Sequence, residues 1–312
     1  MKKSFTRRQF AIGSATAIGA LSASGVAAAQ ETGNSHVQNK IYAPFDVPAG
    51  TKQFTYHNIM SNDALQMDMP LGIINGKNDG PTLIVTGGLF ATEYSGVEAA
   101  SRMYQDFDPE QISGRVIIIP VITFDAFQFR TPMFNLSSGV SPRDGKSLNN
   151  VFPGNPDGSP TEVLAHYVFN DLVLKSDYHI DLRGGDLSES HVVHSIHPNN
   201  ADEKTNRISE EMSRVCGFEY FQARDVNPRS LVYEAFTVGF DQLRAKTYGT
   251  FQGIADQGDI LKKGQLIGRV TGLDGSVLEE LHSPIDGVVH ELLVRRVVSQ
   301  GDLLYNLVQF KS

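Results

Sequence analysis

The 312-residue sequence has little of three things: cysteine, long apolar runs and positive charge. Its one cysteine, Cys216, has no partner for an internal disulfide, and its position in a helical pattern predicts a small core side chain rather than a nucleophile. No internal run reaches eighteen apolar residues, so no membrane-spanning helix is expected beyond the N-terminus. The formal charge of −8 disfavours nucleic acid and anionic membranes as partners, because their phosphates would be repelled.

What is present is an ordinary globular composition, 40% hydrophobic and 20% charged, in a chain long enough for one large and one small domain. Residues 1–29 have the parts of an export signal in order: the pair Arg7-Arg8, an Ala/Gly-rich apolar stretch and the cleavage motif Ala27-Ala28-Ala29. Residues 1–30 hold four basic residues and no acidic one, so their removal takes the charge to −12. The sequence predicts a periplasmic protein exported by the twin-arginine route, with no membrane attachment after signal removal.

The first half of the mature chain alternates between strand and helix patterns. Apolar runs at residues 81–86 and 115–123 predict buried strands, and residues 95–106 between them have helical spacing. Alternation over residues 53–74 predicts antiparallel strands, and residues 160–174 predict a further helix. This order favours an α/β fold with a mixed, mainly parallel sheet flanked by helices.

Residues 83–96, LIVTGGLFATEYSG, lie where a buried strand meets a helix. Such a junction is at the carboxyl edge of an open α/β sheet, where ligands bind. The stretch resembles the metal-site turn of the succinylglutamate desuccinylase/aspartoacylase family, relatives of the zinc carboxypeptidases. The family's turn reads G-G-x-H-G-x-E, and its His and Glu hold zinc. Here Glu93 stands at the Glu position and Phe90 at the His position.

Two later segments are similar to motifs of the same family. SLNNVFPG, residues 147–154, resembles a segment whose Asn and Arg grip the substrate carboxylate, and Asn149 matches while Asn150 stands at the arginine position. The strand pattern at 178–182 is followed by Arg183, where the family has a His as third zinc ligand. The resemblance covers residues 54–310 and implies a zinc-carboxypeptidase-like fold.

The family's catalytic glutamate is harder to place. In the family it lies on a T-x-E-L-G strand and activates the zinc-bound water. The segment LVYEAFTVG, residues 231–239, puts Gly239 at that position, with Glu234 as an alternative. The sequence leaves open which of the two corresponds to it, and no catalytic residue is assigned.

The C-terminal region has its own pattern. QGDILK at 257–262 recurs loosely as QGDLLY at 300–305, around HSPIDGVV. The pattern resembles the small β-barrel of biotinyl and lipoyl carriers, which also caps the desuccinylase family. No carrier lysine motif stands midway, which favours a structural cap. We therefore expect a signal at 1–29, a carboxypeptidase-like α/β domain at 30–242 and an all-β barrel-like domain at 243–312.

The substitutions predict a degenerate metal site. A His₂Glu zinc site needs two imidazoles, whereas phenylalanine has no lone pair and guanidinium stays protonated and repels a dication. The resemblance implies zinc, but no bound metal or cofactor is expected at these positions. Arg183 is predicted to occupy the vacated metal position and to pair with Glu93 and Asp181.

Three functions remain open. The first is a family member without zinc hydrolysis that keeps a pocket for an acidic or N-acylated amino acid or a protein partner. The second is an active zinc-dependent deacylase with a rearranged metal site. The candidate ligands of that site are His179, His191, His194, His197, Asp181 and Asp186. The third is an assembly scaffold. Ligand-binding candidates for the first are Asn149, Arg143, Arg130, Arg183 and Asp181.

Overall fold

The computed structural model describes residues 46–62, 65–129, 140–187, 189–218, 220–225 and 240–309, which divide into two units. The first unit takes in the described residues up to Arg183 and from Ser195 to 225, and the second takes Gly184–His194 and the described residues from 240 onward. The predicted signal at 1–29, Arg130, Glu234 and Gly239 lie outside the described residues. Among the described helices, none has the length and apolar character that crossing a membrane would need.

The described α-helices are α1 (Tyr94–Asp106), α2 (Phe124–Phe129), α3 (Pro160–His166) and α4 (Glu203–Val215). The strands that follow one another through the first unit are β1 (Thr51–Asn62), β2 (Leu65–Asn75), β3 (Asn78–Gly87), β4 (Ser113–Ile119) and β5 (Tyr178–Leu182). The remaining strands are β6 (Glu189–His191), β7 (His194–Pro198), β8 (Tyr220–Arg224), β9 (Phe240–Arg244), β10 (Gly249–Gly253), β11 (Ile260–Leu261), β12 (Leu266–Thr271), β13 (Val277–His282), β14 (Gly287–Leu293), β15 (Val297–Val298) and β16 (Leu303–Val308).

The sheet of the first unit has the order β1-β2-β4-β3-β5. The β1/β2 and β2/β4 pairs are antiparallel, whereas β3 pairs in parallel with both β4 and β5. The predicted α/β fold with a mixed sheet is present, but the prediction that the sheet is mainly parallel is not confirmed. The sheet is mixed because the antiparallel hairpin β1/β2 joins it through the antiparallel pairing of β2 with β4.

Apolar side chains cover both faces of this sheet, because β3 and β4 read as almost continuous apolar runs. Ile84 belongs to a core on one face and Val85 to a core on the other. Helix α1 packs on the second face through the fully buried Ala100. This packing fixes the start of α1 beside the carboxyl end of β3.

Several boundaries differ from the predicted ones. The strand predicted at 115–123 ends at Ile119, before Pro120, and the helix predicted at 160–174 consists of α3, a π-helical turn (Tyr167–Leu172) and a 3-10 turn (Val173–Lys175). The prediction that Cys216 is a core residue is wrong: it is exposed and caps the carboxyl end of α4. Helical periodicity predicted the helix, but not that its last turn faces solvent.

The second unit is built from antiparallel strands. One sheet has the order β13-β12-β10-β15, the other β11-β14-β16-β9, and β6 pairs with β14. Tyr305 is fully buried in its core, and its hydroxyl donates to the carbonyl oxygens of Ala255 and Ile267. The segment Gly184–His194 belongs to this unit, because its strand β6 pairs with β14. The predicted domain ranges, 30–242 and 243–312, place this segment in the α/β domain. Closure into a barrel stays a prediction.

Candidate functional site

The carboxyl ends of β3 and β5 bring the predicted site residues together. These strands are parallel neighbours with Thr86 opposite Asp181, so the residues that follow them emerge at one edge of the sheet. Glu93 follows β3 at the start of α1, and Arg183 follows β5. Glu93 and Arg183 therefore lie at the carboxyl edge of the sheet, as the strand patterns predicted, and their role in binding a ligand stays a prediction.

Arg183 and Glu93 form a bidentate ion pair. Arg183 Nε donates to Glu93 Oε2 at 2.6 Å and Nη2 donates to Oε1 at 2.8 Å. Glu93 is only 5% exposed, whereas the Arg183 side chain is 24% exposed. Because the two planar groups meet through two charge-assisted bonds, the pair has a fixed geometry. The pairing of Arg183 with Glu93 predicted from the sequence is present.

A glycine on α1 makes this pair possible. A Cβ added at Gly96 would lie 2.2 Å from the carbonyl oxygen of Leu182, the last residue of β5. Only glycine therefore lets the first turn of α1 approach the end of β5 so closely. The approach places Glu93, three residues earlier, within hydrogen-bonding reach of Arg183.

Phe90 packs on the same guanidinium. The carbon centre of the Arg183 guanidinium lies 4.5 Å from the centroid of the Phe90 ring, a cation–π distance. Phe90, which stands where the family has one zinc-binding histidine, therefore packs on Arg183, which stands where the family has the other. The sequence identified Phe90 as a lost ligand and gave no signal of this stacking.

Asp181 carries a second carboxylate into the cluster. Its Oδ2 lies 3.8 Å from Arg183 Nε and has no hydrogen-bond partner among the described residues. Its Oδ1 accepts a 2.5 Å hydrogen bond from Thr86 Oγ1. Burial raises the pKa of Asp181, while Arg183 and Thr86 act in the opposite direction without cancelling the rise. The predicted pairing of Arg183 with Asp181 is present as a longer contact.

Thr86 also links His179 to the cluster. Its hydroxyl is 2.9 Å from His179 Nε2 and donates its only proton to Asp181, so Nε2 of His179 must carry a proton and donate. Burial lowers the pKa of His179 to about 4, which keeps the imidazole neutral at neutral pH. Thr86 was missed by sequence reasoning because it is one more strand residue in an apolar run, and only the β3/β5 register reveals its role.

Comparison with known families decides the ancestry of this site. The model of the succinylglutamate desuccinylase/aspartoacylase catalytic domain matches residues 79–235, half of the chain, a range that contains all of β3 but its first residue, and also α1, β5 and Arg183. The chain belongs to this family. The family predicted from the turn sequences is therefore confirmed.

One curated relative shares part of the chain. N-alpha-acetyl-L-2,4-diaminobutyric acid deacetylase of Halomonas elongata is 38% identical over 117 residues, which are 38% of this chain and 32% of the relative. The match thus spans about a third of the length of that relative.

Solved structures cover most of the chain. The product-bound ectoine utilization protein EutE (DoeB) from Ruegeria pomeroyi is 20% identical, with a TM-score of 0.62 over 84% of this chain and 97% of that one. A succinylglutamate desuccinylase/aspartoacylase from Rhodobacter sphaeroides is 19% identical, with a TM-score of 0.63 over 86% of this chain and 98% of that one. At these identities the likeness establishes a shared fold.

The residues at the family's ligand positions do not fit zinc. The carboxylate that remains, Glu93, is engaged through both oxygens by Arg183. The other two positions offer an aromatic ring and a guanidinium, neither of which has a lone pair for a metal. The charge of Arg183 would also repel a dication placed beside Glu93. These residues therefore do not form a zinc site.

Of the other predicted ligand-binding residues, Arg143 and Asn149 belong to the first unit and Arg130 lies outside the described residues. Arg143 is ion-paired through Nε with Asp125 and donates through Nη2 to the carbonyl oxygen of Gln66 at 3.0 Å. Asn149 is 6% exposed in the 3-10 turn Leu148–Asn150. A binding role for Asn149, Arg143 and Arg130 remains a prediction.

The histidines considered for a rearranged site are divided between the two units, two in each. His179 bonds to Thr86 in the first unit, and His197, 5% exposed, packs against Phe221 in the same unit. His191 and His194 belong to the second unit, where both contact His290. The sequence analysis missed His290, since no motif connects it to the earlier histidines.

Proposed function

We propose that this protein is a periplasmic member of its family that binds an N-acylated amino acid without zinc-dependent hydrolysis. Location in the periplasm rests on the twin-arginine signal in the sequence. The loss of hydrolysis rests on one observation: Arg183 binds both carboxylate oxygens of Glu93 at the family's metal position. Without a metal there, the water that hydrolysis requires has no activating group.

Arg183 has donors left for a ligand. Guanidinium has five N–H groups, and two of them reach Glu93. Within the described residues no further hydrogen bond takes the other three, and the side chain is 24% exposed. The carboxylate of an amino-acid derivative is the planar acceptor that these donors suit.

The charge balance favours a ligand of low net charge. Among the described residues Arg183 is the cation that pairs with Glu93 and Asp181, so these three groups have no positive charge to spare even when Asp181 is protonated. Arg143 is already neutralised by Asp125. A trianion such as N-succinylglutamate would therefore be repelled. The curated relative acts on an N-acetylated diamino acid, whose carboxylate and side-chain ammonium cancel. We propose a ligand of this type.

Thermal stabilisation of the purified mature chain tests the proposal. N-acetyl-2,4-diaminobutyrate is expected to raise the melting temperature at concentrations where N-succinylglutamate does not, since a ligand stabilises the state that binds it. Amide hydrolysis, followed as release of acetate, is expected to be absent with and without added zinc.

A matched pair of variants assigns the effect to the cluster. Arg183→Met combined with Glu93→Gln removes the guanidinium without leaving a bare carboxylate, and should abolish the ligand-induced shift. Arg102→Met removes an exposed arginine of α1 that pairs with Glu98 and should leave the shift unchanged. Zinc-dependent release of acetate, or an unchanged shift in the double variant, would refute the proposal.

A further inference from the structure

A second cluster of metal-binding side chains lies in the second unit, on β6 and β14. His191, His290 and Glu291 each place one potential ligand atom within 4.8 Å of the other two. His290 and Glu291 are buried, at 5% and 3% exposure. His191 Nε2 lies 3.8 Å from Glu291 Oε1 and 3.7 Å from Glu189 Oε2. These groups are two imidazoles and two carboxylates, a donor set suited to a late first-row metal ion.

Strand pairing explains how the cluster forms. In the β6/β14 register His191 is directly opposite Glu291, so their side chains share a face. His290 is adjacent to Glu291, and regular alternation would turn it to the other face. The β14/β16 register shifts between Val289 and Glu291, which places a bulge at His290. A bulge re-aims a side chain, so two consecutive residues contribute to one cluster.

Glu291 is held in place from its other side. Its Oε2 accepts a hydrogen bond from the amide nitrogen of Asn306 on β16, which is buried at 1% exposure. This bond leaves Oε1 as the oxygen on the side of His191. Such outer hydrogen bonds orient the ligands in metal sites.

A chain of hydrogen bonds selects the tautomer of His290. His194 Nδ1 is 2.9 Å from the carbonyl oxygen of Val192, which can only accept, so Nδ1 carries the proton. In neutral His194 the other nitrogen, Nε2, is then an acceptor. His290 Nε2, 3.3 Å away, must donate to it. Nδ1 of His290 is therefore the nitrogen with the lone pair that a metal needs.

The charges around the cluster also favour a cation. Glu189 and Glu291 both lie near His191. Of the arginines nearby, Arg295 pairs with Asp302 at 2.7 Å, and Arg244 donates to the carbonyl oxygen of Gly301 and to Gln242. Within the described residues neither carboxylate has a lysine or arginine within ion-pair distance. A buried carboxylate near another is stabilised by a cation between them.

We propose that His191 Nε2, His290 Nδ1 and Glu291 Oε1, with Glu189 as fourth ligand, bind a divalent ion of the zinc type. Ligands at 2.0–2.1 Å from a tetrahedral ion are separated by about 3.3 Å, so the side chains need to move inward by roughly an ångström. The site is in the second unit and uses none of the family's ligand positions. It therefore stands or falls independently of the proposed function of the Arg183 cluster.

Metal binding by the full mature chain tests the site. After removal of metal with a chelator, titration with Zn²⁺ is expected to give one ion per chain by elemental analysis after gel filtration. Titration with Co²⁺ is expected to give the visible absorption of a tetrahedral ion. His191→Ala and His290→Ala should each weaken Zn²⁺ binding at least a hundredfold, and His194→Ala by tenfold or more, because it acts through the tautomer of His290.

Two controls make the result decisive. His282→Ala removes an exposed histidine of β13 in the same unit and should bind Zn²⁺ as the unaltered chain does. Glu291→Gln keeps the shape of the buried side chain but removes its charge. Circular dichroism shows whether this variant is folded, so weaker Zn²⁺ binding by a folded variant is due to the lost ligand. A chain that retains no Zn²⁺, or an unchanged affinity after His191→Ala and His290→Ala, would overturn the proposal.

The family's own position can be examined in the same assay. In a His191→Ala chain, Phe90→His and Arg183→His together rebuild the family's ligand set. Zinc that this triple variant binds more tightly than the His191→Ala chain is therefore bound in the first unit. If the His191→Ala chain alone binds Zn²⁺ as tightly as the unaltered chain, the ion lies outside the proposed cluster and the proposal is wrong.

Discussion

The two clusters balance buried carboxylates in different ways. In the first unit Glu93, 5% exposed, is matched by the guanidinium of Arg183. In the second, Glu291, 3% exposed, lies beside the imidazole of His191 and accepts a hydrogen bond from the amide of Asn306. Both carboxylates need compensation, because an unpaired buried charge is costly. Among the described residues, an arginine or lysine within ion-pair distance supplies it only in the first cluster.

The difference matters for cation binding. Guanidinium does not deprotonate at any physiological pH, so Arg183 occupies its site permanently. Free imidazole is neutral near pH 7, and the lone pair of its unprotonated nitrogen can bind a metal ion, so the second cluster contains donors for a cation. A family site that has acquired an arginine is therefore closed to cations, whereas an unrelated cluster of histidines in the same chain is open to them.

The largest expected effect comes from breaking the arginine–glutamate pair. Arg183→Leu removes the bidentate partner of the buried Glu93 and should lower the free energy of unfolding by about 3–5 kcal/mol. Adding Glu93→Gln should recover most of the loss, since a neutral side chain tolerates burial better. Urea denaturation followed by circular dichroism measures both.

An exposed pair on α1 provides the control. Arg102 and Glu98 form an i,i+4 ion pair with side chains about 60% exposed, and Arg102→Leu should cost only about 0.3–0.5 kcal/mol. If Arg183→Leu and Arg102→Leu cost the same, the guanidinium does not compensate Glu93 and the contrast between the two clusters disappears.

The next effect is the pH dependence of stability, and it concerns His179, the buried histidine of the first cluster. Burial lowers the pKa of His179 from 6.5 to about 4, so the unfolded chain takes up a proton first as the pH falls. The stability from neutral His179 is present above pH 6.5 and lost as the pH falls towards about 4, by at most about 3 kcal/mol.

His179→Gln isolates this contribution, because glutamine keeps an N–H that can donate to Thr86 but does not titrate. Unfolding free energies measured at pH 7 and pH 4.5 should differ less in the variant than in the unaltered chain. Asp181, with its pKa raised by burial, acts in the opposite direction in both proteins. Equal pH dependence in the two proteins would mean that His179 is not held neutral by burial.

The smallest effect concerns the support of the second cluster. Asn306→Ala removes the donor to Glu291 Oε2 and should weaken Zn²⁺ binding tenfold to a hundredfold while leaving the first unit's stability unchanged. Isothermal titration with Zn²⁺ measures the change. Gln252→Ala, at an exposed position of β10, should leave the affinity unchanged. An affinity unaltered by Asn306→Ala would mean that Glu291 is not a ligand.

Much of the first cluster follows from the sequence. Phe90 and Glu93 follow an apolar run that predicts a buried strand, and Arg183 follows the strand pattern at 178–182. Their meeting at one edge follows from the parallel pairing of β3 and β5. Thr86 and the stacking of Phe90 did not follow. Both depend on register and side-chain direction, which a strand pattern leaves open.

The sequence by itself determined the family, through turns whose glycines and spacing survive the loss of the metal ligands. It also determined the charge conflict at Glu93 that Arg183 resolves. Tertiary structure alone decided the mixed sheet, the exposure of Cys216 and the assignment of Gly184–His194 to the second unit. It alone brought His191 to His290, because strand pairing between distant segments and a bulge at one residue leave no periodic trace in the chain.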